Sequence, residues 1–301
     1  MAPEQEMPRS ILIVGGGSAG WITANVLNAL LGKEHGVEIA LVESPNIPIV
    51  GVGEATVPSI RRTLQTIGTP ERDFMRATDA TFKSLIRFVD WNIGQVFDHP
   101  FDRRVRPESD AAVDAWLEAG LPQNTFAKAV SLLSNLADAN HAPKAVGWPD
   151  YASTFPYAYH LDAVKLASFL SRWGVANGIR HSLANVTNVA IDEAGFIDCV
   201  QTDVGEALTA DLYVDCTGFR ARLIGEALNV RARGFSDKIL CDRAVTMRVP
   251  YEVCAPPRIR PYTLSTRAGR VGFGTSICVT DAAWVTCIPA ATLAMKMPKE
   301  N

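Results

Sequence analysis

Short apolar runs separated by glycine set the rhythm of the N-terminal part of the chain. Ile11-Leu12-Ile13-Val14 reads as a buried strand and runs into Gly15-Gly16-Gly17-Ser18-Ala19-Gly20. From Trp21 to about Leu31 the apolar positions Ile22, Val26, Leu27 and Leu30 recur at helical spacing. Residues 37–42 form a second apolar run, closed by Glu43. The pattern predicts strand, glycine turn, helix, strand, acid. Further on, Pro58 opens a predicted helix to about Ile67, and residues 85–91 predict a strand. In the second half, residues 211–214 predict a strand, Asp215-Cys216-Thr217-Gly218-Phe219-Arg220 a turn, and residues 221–228 a helix.

The glycine turn carries the first chemistry. Gly15 permits the tight turn, Gly17 lets the backbone approach a pyrophosphate, and Gly20 lets the helix pack closely on the strand. With Ser18 and Ala19, these residues put free N–H groups and the positive end of a helix dipole in front of a phosphate. Glu43 is placed to accept hydrogen bonds from a ribose. An acid there favours FAD or NAD over NADP. Gly218, in the second strand–turn element, is where a flavoprotein chain would return to its cofactor.

Composition narrows the picture. The 301 residues are 48% hydrophobic, and 29 basic against 32 acidic side chains leave a formal charge of −3 with no run of like charge. A globular α/β protein follows, with neither the footprint of a nucleic-acid binder nor a membrane span. The first ten residues are polar and lack the apolar core of a signal peptide, so a soluble, cytoplasmic protein is expected. Six cysteines (Cys199, Cys216, Cys241, Cys254, Cys278, Cys287) are scattered without a C-x-x-C pair, which predicts reduced thiols, no disulfide framework and no metal site.

Two further segments stand out. Val50-Gly51-Val52-Gly53-Glu54-Ala55-Thr56-Val57-Pro58 has two glycines in three residues, a sign of backbone passing close to a ligand. Phe82-Lys83 and the run to Trp91 follow. Taken by itself, Lys83 reads as a solvated surface lysine.

In order and spacing, GGGSAGW from Gly15, VGVGEATVP from Val50, FKSLIRFVDW from Phe82 and DCTGFRARLI from Asp215 resemble the flavin-dependent tryptophan halogenases. YAYHLD from Tyr157 and Pro261-Tyr262-Thr263 are similar to that family as well, so the resemblance covers residues ~9 to ~266. It implies a Rossmann-type FAD-binding fold of the flavin monooxygenase and halogenase superfamily. It also implies a two-site reaction: FADH2, supplied by a separate flavin reductase, reacts with oxygen and then with chloride or bromide to give hypohalous acid. That oxidant passes through an internal tunnel to the family's lysine, which matches Lys83. There it is polarised by the ammonium or held as a haloamine before attack by an aromatic small molecule, tryptophan or a related indole. Gly51, Val52, Gly53, Glu54, Ala55 and Thr56 match the family's strap between flavin and halogenation sites. His99 and Phe101, in Phe97-Asp98-His99-Pro100-Phe101, match residues flanking the aromatic substrate, although loop packing would account for them too. His160 reads as a structural histidine. A homodimer is left open.

The family's catalytic glutamate, which lies well beyond residue 301, has no counterpart here. Trp284-Val285-Thr286-Cys287-Ile288-Pro289 imitates the family's W-x-W-x-I-P signature with Thr for the second Trp. Reading the codons one nucleotide earlier gives a better placed match. The residues from Arg270 to Ser276 can arise from shifted codons for A-G-W-I-W-D-I, although the codon under Ile277 does not then encode proline. The expectation is an incomplete FAD-binding halogenase-like domain over 1–266, with a substrate region about 80–180, and an out-of-frame tail over 267–301. Such a chain should not turn over. The rival readings are a halide-independent flavin monooxygenase, which gives no reason for Lys83 in its motif, and a non-catalytic FAD-binding remnant.

Overall fold

The computed structural model describes residues 7–49, 53–92, 94–102, 107–235, 237–238, 243–250, 260–268, 271–277 and 281–288. Its strands are β1 (Ser10–Val14), β2 (Glu38–Glu43), β3 (Gly53–Ala55), β4 (Thr81–Lys83), β5 (Leu85–Val89), β6 (Val96–Pro100), β7 (Ala158–Asp162), β8 (Arg180–Leu183), β9 (Val186–Ile191), β10 (Ile197–Thr202), β11 (Ala207–Leu208), β12 (Leu212–Asp215), β13 (Arg243–Pro250), β14 (Tyr262–Ala268), β15 (Val271–Ile277) and β16 (Asp281–Ile288). The α-helices are α1 (Ser18–Leu27), α2 (Lys33–His35), α3 (Ser59–Ile67), α4 (Glu71–Ala77), α5 (Pro107–Glu118), α6 (Phe126–Val130), α7 (Leu132–Asp138) and α8 (Ala163–Ala176). Among the described residues, no helix is long and apolar enough to cross a membrane. The chain divides into two units. One comprises Met1–Gly51, Thr63–Thr69 and Ala163–Arg233; the other comprises Val52–Arg62, Pro70–Asp162 and Gly234–Asn301.

The first unit is built on a parallel sheet of order β12-β1-β2-β8. Both faces of β1 are covered, which is why Ile11 to Val14 form an unbroken apolar run with none more than 2% exposed. Leu12, Val14 and Val42 pack with Val200 and Leu223 under the three-stranded antiparallel sheet β11-β10-β9. Burying each such side chain contributes about 2 kcal/mol. Between α1 and α8 lies the buried Asn25, whose amide donates to Trp21 O at 2.7 Å and Leu170 O at 3.0 Å. The helix predicted from Trp21 begins three residues earlier, at Ser18, and past Leu27 it widens into a π-helical turn, Asn28–Gly32. The wider turn accommodates the buried Asn28, whose amide donates to Asn177 O at 3.0 Å while its Oδ1 lies against Gly32.

The second unit holds two sheets, β3-β7-β4 and β13-β16-β15-β14-β5-β6. β4 and β5 are nearly one strand, broken at the buried Ser84. The Ser84 N–H donates to Pro261 O at 2.7 Å, and its carbonyl accepts from Phe101 N at 3.1 Å, so the break costs no backbone hydrogen bond. Arg87 on β5 makes a bidentate pair with Asp98, its registered partner on β6, at 2.7 and 2.8 Å. It also lies over the Tyr262 ring, 4.6 Å from the centroid. Within the segment expected to be an out-of-frame tail, β15 and β16 pair antiparallel with β14 and β13 and with each other. Apart from the end of β14, the rest of that segment lies outside the described residues.

Candidate functional site

The glycine turn of the first unit is shaped by backbone approaching backbone. Gly15 sits at φ +112°, and a Cβ there would meet Cys216 O at 2.3 Å. Cys216 belongs to the Asp215–Arg220 turn, and its N–H donates to Val14 O at 2.8 Å, so the two strand ends are stitched directly together. A Cβ on Gly20 would meet Gly15 O at 1.8 Å, which forces α1 onto the turn only if no side chain intervenes. Gly17 differs: a Cβ there would meet nothing within 4 Å. It is the extended residue before α1, and neither it nor Ser18 and Ala19 is buried. Gly218, at φ +65°, likewise has open space where its Cβ would be.

Asp215 holds the return turn. Its carboxylate accepts from Thr217 N and Oγ1 at 3.0 and 2.6 Å and from Leu223 N and Ile224 N at 2.8 and 2.9 Å. Burial alone would raise its pKa, but these donors hold it below the ordinary carboxylate value. The helix predicted over 221–228 is a 3-10 turn, Gly218–Arg220, followed by a π-helical segment, Arg222–Ala227. Ala221, at φ +46°, separates them. At the end of β2, Glu43 is paired with His181, Nε2 to Oε1 at 2.8 Å. Its other oxygen lies against Gly16, a position the spacing argument had left without a role.

Lys83 sits in the second unit, and the structure corrects its reading as a solvated lysine. β3 and β4 both pair antiparallel with β7, with Ala55 and Thr81 opposite His160, Phe82 opposite Tyr159 and Lys83 opposite Ala158. Paired residues share a face, and the faces alternate. Phe82 packs with Tyr157 and Tyr159, ring centroids 5.3 and 6.1 Å away. The alternation therefore sends Lys83 to the opposite face, where it is 2% exposed.

Its ammonium donates to Thr56 O at 2.9 Å and Ala55 O at 3.4 Å, both in the glycine-rich strap. Thr56 is fixed in turn by Tyr159: its N and Oγ1 donate to Tyr159 O at 2.9 and 2.8 Å, and its Oγ1 accepts from Tyr159 N at 3.0 Å. The Phe101 ring centroid lies 5.2 Å from Lys83 Nζ. No carboxylate pairs with Lys83 among the described residues. Burial, uncompensated by an opposite charge, pushes its pKa down to about 8.

His160 shares the face of Lys83 and is fully buried. Its Nε2 is 2.8 Å from Thr263 Oγ1, while Nδ1 has no partner. Burial, with the Lys83 charge adding to it, pushes its pKa down to about 3, so the ring stays neutral.

On the other face, Glu71 gathers a network that the sequence reading missed. Its Oε1 accepts from Tyr157 OH at 2.5 Å and Tyr159 OH at 2.7 Å; its Oε2 accepts from Lys144 Nζ at 2.6 Å and Tyr151 N at 2.8 Å. Burial opposes the Glu71 charge, yet the four donors keep its pKa below the ordinary value. The sequence carries no local signal for it, because Lys144 and Tyr157 lie 73 and 86 residues from Glu71 along the chain.

His99, on β6 opposite Ile86, is exposed, and no hydrogen bond or ring contact joins it to Lys83 among the described residues. Glu54 is exposed on β3. Gly51 and Val52 lie outside the described residues. Cys199 is buried and Cys216 half-buried, both free; the side chains of the other four cysteines lie outside the described residues.

Comparison with known proteins bears on both centres. The sequence profile of the tryptophan halogenases matches residues 10–280. This chain belongs to the tryptophan halogenase family. It is 34% identical over 304 aligned residues to tryptophan 6-halogenase SttH of Streptomyces toxytricini, covering 94% of this chain and 55% of that protein. The crystal structure of SttH superposes with a TM-score of 0.84, covering 95% of this chain and 58% of that one. BrvH, a flavin-dependent halogenase from Brevundimonas sp. BAL3, superposes with a TM-score of 0.80 at 32% identity, covering 95% and 57%. The chain therefore spans about half the length of the curated relatives it matches.

Members of this family are flavin-dependent, and their Rossmann-type fold is the one seen here. The turn fits a dinucleotide. Open space at Gly17 before a ten-residue helix leaves room for a pyrophosphate, and the Glu43 carboxylate, held by His181 and lying against Gly16, has the chemistry that a ribose acceptor would need.

Proposed function

We propose that this chain carries the FAD-binding and oxidant-handling residues of a flavin-dependent halogenation of tryptophan or a related indole. Gly15, Gly17, Ser18, Ala19 and Gly20, with Gly218 on the return turn, hold the pyrophosphate, and Glu43 holds the ribose. Bound as FADH2, delivered by a separate flavin reductase, the flavin supplies hypohalous acid from O2 and chloride or bromide. Lys83 receives it.

The buried amine carries this reading. With a pKa of about 8, roughly a tenth of Lys83 is uncharged at pH 7. The ammonium form can donate a hydrogen bond to the oxygen of hypohalous acid. The free amine can take the halogen, forming an N–X bond and releasing water. Its carbonyl partners at Ala55 and Thr56 keep the nitrogen in place in either form, and the Phe101 ring centroid lies 5.2 Å from it. Phe101 is the better supported of the two substrate-side residues; His99 stays assigned to the aromatic substrate on resemblance alone.

We further propose a cytoplasmic protein in which the segment 267–301 is read out of frame, so that the 301-residue chain binds FAD without releasing a halogenated product. The test combines purified chain, FAD, a flavin reductase with NADH, oxygen, bromide and tryptophan. Bound FAD and no bromotryptophan are expected. Hypobromous acid added at pH 8 should then brominate Lys83 ahead of the exposed lysines, read by mass spectrometry against Lys83→Ala. A halide-independent hydroxylation would contradict the halogenase reading. Robust bromotryptophan would contradict the out-of-frame tail, and the coding DNA across codons 264 to 272 would locate the lost base.

A further inference from the structure

The Glu43 carboxylate is unusually well held for an acceptor at the end of a strand. On the adjacent strand β8, His181 is in register with Leu41, and Glu43 lies two residues on from Leu41, so both side chains use one face of the sheet. His181 Nε2 sits 2.8 Å from Glu43 Oε1. The imidazole is fixed on its other side by Trp21, a 1% exposed residue of α1, whose ring meets it edge-on with centroids 5.1 Å apart. Glu43 Oε2 rests where a Cβ on Gly16 would meet it at 1.5 Å, flush with the glycine turn. The pair is not sealed from solvent: the two side chains are 23% and 20% exposed.

A ribose offers two hydroxyl donors on one edge, and an acceptor fixed before binding loses no rotamer freedom when it takes them. We propose that His181 is a positioning residue for the adenosine ribose: it occupies Oε1 of Glu43 and so presents Oε2, beside Gly16, as the acceptor. The inference rests on the reading of this crevice as the FAD site. It adds a residue that the G-x-G-x-x-G and acid pattern does not contain. The imidazole contributes through its N–H, and its ring contact with Trp21 is a separate, structural matter, so the two roles can be parted by substitution.

The experiment titrates the full 301-residue chain with FAD and with ADP by calorimetry, in the wild type, His181→Phe and His181→Gln. Phenylalanine keeps a ring against Trp21 but has no donor; glutamine keeps a donor without the ring. Phe should weaken both ligands about tenfold, Gln should restore them to within about threefold, and Phe should add no further loss in a Glu43→Ala background. If Phe is not tolerated, His181→Leu takes its place in the same cycle. Unchanged binding in the Phe variant, or an equal loss with and without Glu43, would overturn the proposal while leaving the FAD site intact. A wild type that binds neither ligand would overturn the crevice reading together with it.

Discussion

The glycine turn and the lysine shell solve opposite problems. At Gly15 and Gly20 the chain has removed every side-chain atom so that backbone can touch backbone, with hypothetical Cβ contacts of 2.3 and 1.8 Å. Around Lys83 it has done the reverse, surrounding a charged side chain with other side chains and two carbonyls but, among the described residues, no carboxylate partner. At those two glycines the first region tolerates no addition, and the second is held at an energetic cost that its neighbours must offset. The difference fits the two proposed roles: a rigid cradle for a large ligand, and an amine whose pKa burial lowers to about 8.

The largest effect expected is in the scaffold behind the lysine. Glu71→Ala strands Lys144 and the hydroxyls of Tyr157 and Tyr159 without their acceptor, and should lower stability by about 3–5 kcal/mol in urea unfolding. A smaller loss would mean that β7 does not depend on this network. Next comes the turn itself. Gly15→Ala combines φ +112° with a carbonyl 2.3 Å away and should cost about 3 kcal/mol, whether or not FAD is present.

A loss of similar size, but governed by pH, belongs to Lys83. Its pKa is about 8 in the folded protein against 10.5 for the free side chain. Between those values the unfolded chain binds the extra proton, so stability rises with pH across that window and is flat with respect to this group below it. The gain reaches at most about 3 kcal/mol. Urea unfolding at pH 7.5 and pH 10 should show it in the wild type relative to Lys83→Met, which lacks the group. The mildest change is Gly17→Ala. With open space at that position, stability should move by less than about 0.5 kcal/mol while FAD affinity falls about tenfold. A matching loss of stability would erase the distinction between Gly17 and its neighbours.

The two regions were also unequally legible. The turn is local: strand, three glycines, helix and acid lie within a few dozen residues, and each glycine has a reason that backbone geometry alone supplies. Even there, Gly16 and His181 escaped, because what they touch is the Glu43 side chain across the sheet. The shell of Lys83 is made by long-range pairing. Nothing near Phe82-Lys83 announces that β7 will place His160 and Tyr159 on opposite faces of it, or that the carbonyls of Ala55 and Thr56 will reach its ammonium. Lys83 therefore looked like surface by itself, and only its resemblance to a family motif marked it. His99 also rests on the motif alone, and the fold leaves it exposed on β6.

The ionisation of the Lys83 nitrogen can be read directly. Carbon-13 NMR of lysine Cε across pH 6 to 12, with Lys83→Met to assign the resonance, should show one lysine titrating near pH 8 and the exposed lysines near their ordinary value. A Lys83 resonance that titrates with the exposed lysines would contradict the buried-amine site and the halogen chemistry proposed for it.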